Sequence, residues 1–74
     1  MEVLLFGMIA EKANTDRVQI SATSLSELRT ALISRIPELD RMSYAIAVDR
    51  AVVHTDLALN GTEEIAVLPP FAGG

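Results

Sequence analysis

The chain has 74 residues, 50% of them hydrophobic, a formal net charge of −4 and no cysteine. That length sets one domain, and its core must be dense in aliphatics because a chain this short hides only about 60% of its unfolded surface. Disulfides and thiolate metal sites are excluded, the single histidine, His54, leaves no metal set, and Lys12 with five scattered arginines makes no basic patch for nucleic acid. The longest apolar run, Val3 to Ala10, is too short for a bilayer and follows the acidic Glu2, so a soluble, cytoplasmic chain without membrane contacts is expected.

In chain order, EVLLFG (2–7) is a compact apolar run closed by a glycine and reads as a buried strand. MIAEKANTD reads as a turn through Asn14, Thr15 and Asp16. RVQIS (17–21) then alternates, with Val18 and Ile20 on one face, so the first two strands are expected to form a hairpin. The clear helix follows. Ser24 stands three residues before Glu27, the spacing of a reciprocal capping box. Leu25, Leu28, Ala31, Leu32 and Ile36 form one apolar stripe, and Pro37 ends the run by disfavouring helical backbone at Ile36. YAIAVDRAVVH (44–54) alternates about a tight turn at Asp49-Arg50, and an Asn60-Gly61 turn leads to a last strand from about Glu64 to Leu68. The order β-β-α-β-β-β implies an α+β fold, a mixed four- to five-stranded sheet with one main helix on one face. One helix covers one side of a sheet. Val52 and Val53 point to opposite faces, as do Val67 and Leu68, so part of this apolar set should face outward, as scattered surface residues or as a patch for a partner.

Residues 1–68 are expected to form the domain and residues 69–74, PPFAGG, a working tail. Pro69 and Pro70 have fixed φ and no N–H, so they stop the last strand and throw the chain outward as a semi-rigid arm. Six extended residues reach on the order of 20 Å. Phe71 is an apolar anchor on that arm, and Gly73 and Gly74, lacking Cβ atoms, fit a channel too narrow for other residues. The functional group at the tip is the α-carboxylate of Gly74, ionised at neutral pH. Such a carboxylate can attack the α-phosphate of ATP to give an acyl-adenylate, which a sulfur or nitrogen nucleophile can then take. The chain has no phosphate-binding loop, so another protein would supply the ATP site, and this chain would bind no cofactor itself.

With VLLFGMIAEKAN, AVDRAVV, LNGTEEIAVLPP and the terminal FAGG, the whole chain resembles the sulfur-carrier subunits of molybdopterin synthase, MoaD type, within the MoaD/ThiS ubiquitin-like family. The resemblance implies a β-grasp fold and a non-catalytic sulfur donor in a two-subunit enzyme. It implies that Gly74 is adenylated by a ubiquitin-activating-type enzyme, converted to a thiocarboxylate with a sulfur donor protein, and inserted into the large subunit to sulfurate a cyclic pyranopterin. Pro69, Pro70 and Phe71 would set and anchor the arm, Gly73 would permit entry, and Leu68 and Val52 would contact partners. A heterotetramer of two small and two large subunits is the implied assembly. Ala10, Asp49, Thr62 and Phe71 depart from common family residues, and none of them touches the terminal chemistry.

Two other readings stand beside this one. The chain could carry sulfur for another pathway, of the thiazole type, or be a ubiquitin-like modifier conjugated through Gly74. It could also be a plain interaction module with an idle tail. His54, Asp16, Glu63 and Glu64 read as surface groups, and Met1, Met8 and Met42 as core or edge filler.

Overall fold

Val3 and Leu5 point to one side of the first strand and Glu2 and Leu4 to the other, and that alternation decides which side of the sheet carries the core. The computed structural model describes residues 1–69. Its elements are β1 (Glu2–Leu5), α1 (Gly7–Ala13), β2 (Arg17–Gln19), α2 (Leu25–Arg35), a 3₁₀ helix (Pro37–Arg41), β3 (Ala45–Val48), β4 (Ala51–Val53) and β5 (Ile65–Leu68). The strands form one sheet in the order β2-β1-β5-β3-β4. β1 and β5 run parallel at its centre, and the other neighbours are antiparallel. The mixed sheet and the helix on one face agree with the sequence reading.

The connection between β1 and β2 differs from the expected turn. β1 and β2 do pair antiparallel, but the seven-residue helix α1 joins them. Gly7, at φ 57°, turns the chain inside the apolar run, so the strand stops at Leu5 rather than residue 7. The carbonyl of Phe6 accepts from the N–H groups of Ile9 (3.2 Å) and Ala10 (3.4 Å), which starts the helix without a side-chain cap. Asn14, at φ 59°, closes it in the left-handed conformation that Asn tolerates. A helix of this length is marginal alone, and the fully buried Ile9 pins it to the core.

The long helix forms as its pattern requires. Leu25, Leu28 and Leu32 are buried against Val3, Leu5, Ile46, Val48, Ile65 and Val67. Its start differs from a strict capping box in one atom. Ser24 accepts from the N–H of Glu27 (3.2 Å), but the Glu27 carboxylate reaches past Ser24 to the N–H (2.8 Å) and hydroxyl (2.9 Å) of Thr23. Pro37 ends α2 and also opens the 3₁₀ helix, which brings Leu39 into the core.

Asp49 and Arg50 both adopt positive φ (51° and 71°), the type I′ geometry whose twist matches a two-residue hairpin. The segment after β4 returns along the start of α2, with Leu25 N–H donating to Leu57 O (2.8 Å) and Leu59 N–H to Thr23 O (2.9 Å). At Asn60-Gly61 the chain bends as expected. Asn60 Oδ1 accepts from Thr62 N–H (2.9 Å) and Glu63 accepts from the N–H groups of Asn60 (2.9 Å) and Gly61 (3.0 Å).

Candidate functional site

β5 is the strand from which the tail departs, and its sequence gives it two different sides. Ile65 and Val67 are fully buried, while Ala66 and Leu68 are half-buried on the opposite side. Because β5 is bonded on both edges, its end is fixed. Asp49 and Glu64 hold the start: Asp49 N–H donates to Glu64 O (2.8 Å) and Glu64 N–H to Asp49 Oδ1 (2.9 Å). Near the end, Phe6 N–H donates to Val67 O (3.2 Å). Pro69 has no N–H to extend the ladder, so the strand stops at Leu68.

Both helices and the 3₁₀ helix send their buried residues to one side of the sheet. Among the described residues no element packs on the other. Register places Arg17, Leu4, Ala66, Ala47 and Val52 in one row across that open side. A second row holds Leu68 and Ala45, and the extended backbone of Phe6 continues the pleat of Leu4 beside them. The small alanines of β3 and β5 make a flat apolar floor, with larger side chains around it. Phe6, Met8 and Val52 are 45%, 47% and 41% exposed. Charge is confined to the margins, where Arg17 pairs with Glu2 at 3.3 Å and Arg50 with Glu64 at 3.2 Å.

Of the residues expected to meet partners, Val52 and Leu68 therefore share the open face, separated by Ala45 and Ala47 on β3. Pro69 is half-buried at the root of the tail. Pro70, Phe71, Gly73 and Gly74 lie outside the described residues. Phe6, Gly7 and Met8 were missed. Met8 was expected to fill the core or an edge, but it faces outward because the run is split by a turn into a helix rather than continued as strand. The signal was the length of the run: Val3 to Ala10 is longer than a buried strand of this sheet needs, and a glycine interrupts it.

The carboxylates with displaced acidity have structural work instead. The N–H of Thr23 holds Glu27 below the usual carboxylate range, that of Ser26 does the same for Asp56, and that of Asn60 for Glu63. Asp56 sits in a polar cleft with Leu25, Ser26, Arg29, His54 and Thr55, where it accepts from Ser26 N–H (2.9 Å) and Leu57 N–H (2.9 Å). His54 is exposed there, as a lone surface histidine should be. Among the described residues no group of three acidic or histidine side chains is arranged to hold a metal, and no helix is long and apolar enough to cross a membrane. The described part offers a fixed strand end and an apolar face.

Comparison with known proteins bears on the family and the fold. Residues 3–74 match the model described as the ThiS family. The fold is similar to that of small archaeal modifier protein 1 from Methanosarcina acetivorans, with TM-score 0.84 and 22% identity over 99% of this chain and 94% of that one. It is similar to the corresponding protein of Haloferax volcanii, with TM-score 0.81 and 22% identity over 99% and 97%. A chain in the complex of subunits 1 and 2 of the molybdopterin-converting factor from Helicobacter pylori matches with TM-score 0.73 and 28% identity over 99% and 96%.

Proposed function

The chain belongs to the ThiS family of ubiquitin-like sulfur carriers, and we propose that within it this protein carries sulfur on Gly74 for molybdopterin formation. The observation that carries this reading is the continuity of an uncovered apolar sheet face with the fixed root of a Pro-Pro-Phe-Ala-Gly-Gly tail. A carrier needs both parts, a surface by which successive partners hold the body and an arm that delivers its end into their active sites. The similarity to a subunit of the molybdopterin-converting factor supports a large-subunit partner, and the proline pair supports this pathway over the thiazole type.

The Gly74 carboxylate attacks the α-phosphate of ATP bound by an activating enzyme, forming the acyl-adenylate and releasing pyrophosphate. A sulfide-equivalent nucleophile from a sulfur donor protein takes the carbonyl, AMP leaves, and a thiocarboxylate remains. In the large subunit that sulfur passes to the pterin precursor, and hydrolysis returns the carboxylate. Gly73 passes the entrance, Phe71 anchors the arm, and Val52, Leu68, Phe6 and Met8 hold the body. The arm comprises residues 69–74, and the protein works in the cytoplasm.

The modifier reading shares the adenylate and differs only in the nucleophile, a lysine amine instead of sulfur; similarity of fold to archaeal modifier proteins is what favours it. Thiol alkylation of the intact protein, purified from cells making the cofactor and followed by mass spectrometry of the C-terminal peptide, separates the two. With no cysteine in the chain, an adduct on that peptide marks a thiocarboxylate at Gly74. We expect the adduct. Its absence when activating enzyme, ATP and a sulfur donor are all supplied, together with the C-terminal peptide of this chain in isopeptide linkage to cellular lysines, would establish the modifier instead.

A further inference from the structure

Gly7 occupies the point where β1 turns into α1, and two independent features meet there. Its φ of 57° is one that residues with side chains seldom adopt. Its bare Cα also faces the ring of Pro69: a Cβ built on Gly7 would lie 3.0 Å from Pro69 Cγ and 3.7 Å from its Cβ and Cδ. Gly61 shares the first feature, with φ 96°, but nothing lies within 4 Å of its corresponding position. Of the two glycines among the described residues, Gly7 is therefore the one with a close approach.

Neither partner in that contact can easily slide away. Phe6, directly before Gly7, donates its N–H to Val67 O (3.2 Å), and its carbonyl accepts from Ile9 and Ala10 at the start of α1. Val67 in turn lies two residues before Pro69. Pro69 itself has no N–H with which to join the ladder, and its ring lies against Gly7. We propose that Gly7 is a positioning residue, a seat for Pro69 that sets the direction of the chain where it leaves β5. This inference rests on the carrier reading for its consequence, because a tilt of about 10° at the root of an arm of about 16 Å moves its end by about 3 Å. Misplacement of a reacting group by about 1 Å can lower a rate by up to about 100-fold.

The test compares Gly7→Asn with Gly61→Asn. Asn tolerates positive φ better than other side-chain-bearing residues, so both variants should fold, but only the first brings a Cβ against Pro69. In the unmodified protein, a nuclear Overhauser contact between Gly7 Hα and Pro69 Hγ is expected. The activating enzyme of the same organism, assayed by ATP–pyrophosphate exchange, should then show kcat about tenfold lower for Gly7→Asn. KM should stay within about twofold because the docking face is intact, and Gly61→Asn should behave as the parent. Absence of the Overhauser contact, or unchanged kcat for a folded Gly7→Asn, overturns the seat. If the parent protein itself supports no exchange, the carrier reading fails and the Overhauser contact alone judges the seat.

Discussion

Arg50 holds φ 71° in the turn between β3 and β4 with a side chain that gains little in return. Its pairing with Glu64 at 3.2 Å is exposed, and such pairs contribute at most about 1 kcal/mol. Arg50→Gly should therefore raise the unfolding free energy by about 0.5 kcal/mol, whereas Arg50→Val should lower it by about 1 kcal/mol or more, measured by urea denaturation. The capping carboxylates set the response to acid. Glu27, Asp56 and Glu63 each accept backbone N–H groups only in the folded chain, so their folded acidities lie below the unfolded ones. Their contribution is complete above the unfolded values of about 4 and is lost as pH falls through that range toward the folded ones. Thermal melting should be flat from pH 7 to about pH 5 and fall steadily below it. Asp56→Asn should make that acid limb shallower, since it keeps an oxygen acceptor and removes the titration.

At the scale of elements, the two sides of the sheet should respond oppositely to substitution. The covered side is close-packed. Leu28 lies fully buried there, and Leu28→Ala should cost about 2–5 kcal/mol, read from the denaturation midpoint. The open side should behave as surface in the free protein and as core in a complex. Val52→Arg should leave the melting temperature within about 3 °C of the parent, because Val52 is 41% exposed. It should nevertheless weaken binding to the large subunit at least about tenfold by calorimetry, since it buries an unpaired charge in an apolar interface. Ser34→Arg, on the exposed side of α2, is the matched control and should leave that affinity unchanged. Equal affinities for the two variants would remove the open face from the docking surface.

Across the whole molecule, what holds the fold lies apart from the face proposed to meet partners. No polar side chain is buried among the described residues, and apart from the small Ala47 the buried residues of the five short strands lie on one side. The tail root is fixed to the central strand, where hydrogen bonds on both edges resist local opening. Deleting Gly73 and Gly74 should then leave the melting temperature within about 1 °C of the parent, while the alkylated C-terminal peptide and ATP–pyrophosphate exchange are both lost. Retained exchange in the truncated chain would sink the carrier reading directly.

Much of this was written in local order. Alternation in YAIAVDRAVV gave a hairpin whose inward residues are Ile46 and Val48, and the spacing from Leu25 to Ile36 gave α2, because each pattern repeats over enough residues to outweigh its neighbours. Counting faces implied that part of the set Val52, Val53, Val67 and Leu68 faces outward, since one main helix covers one side, and the family resemblance singled out Val52 and Leu68. The sequence also carries the Pro-Pro and Gly-Gly order on which the proposed chemistry rests. Tertiary structure decided what depended on partners distant in the chain. The seven-residue α1 has too few turns for a periodic signal and forms because Ile9 finds the core. The outward turn of Met8 depends on one dihedral at Gly7, and composition does not record a dihedral. The contact between Gly7 and Pro69 joins residues 62 positions apart, brought together by the parallel pairing of β1 with β5. Local pattern specifies which side of an element is apolar, but only the completed sheet determines which glycine lies beneath which proline.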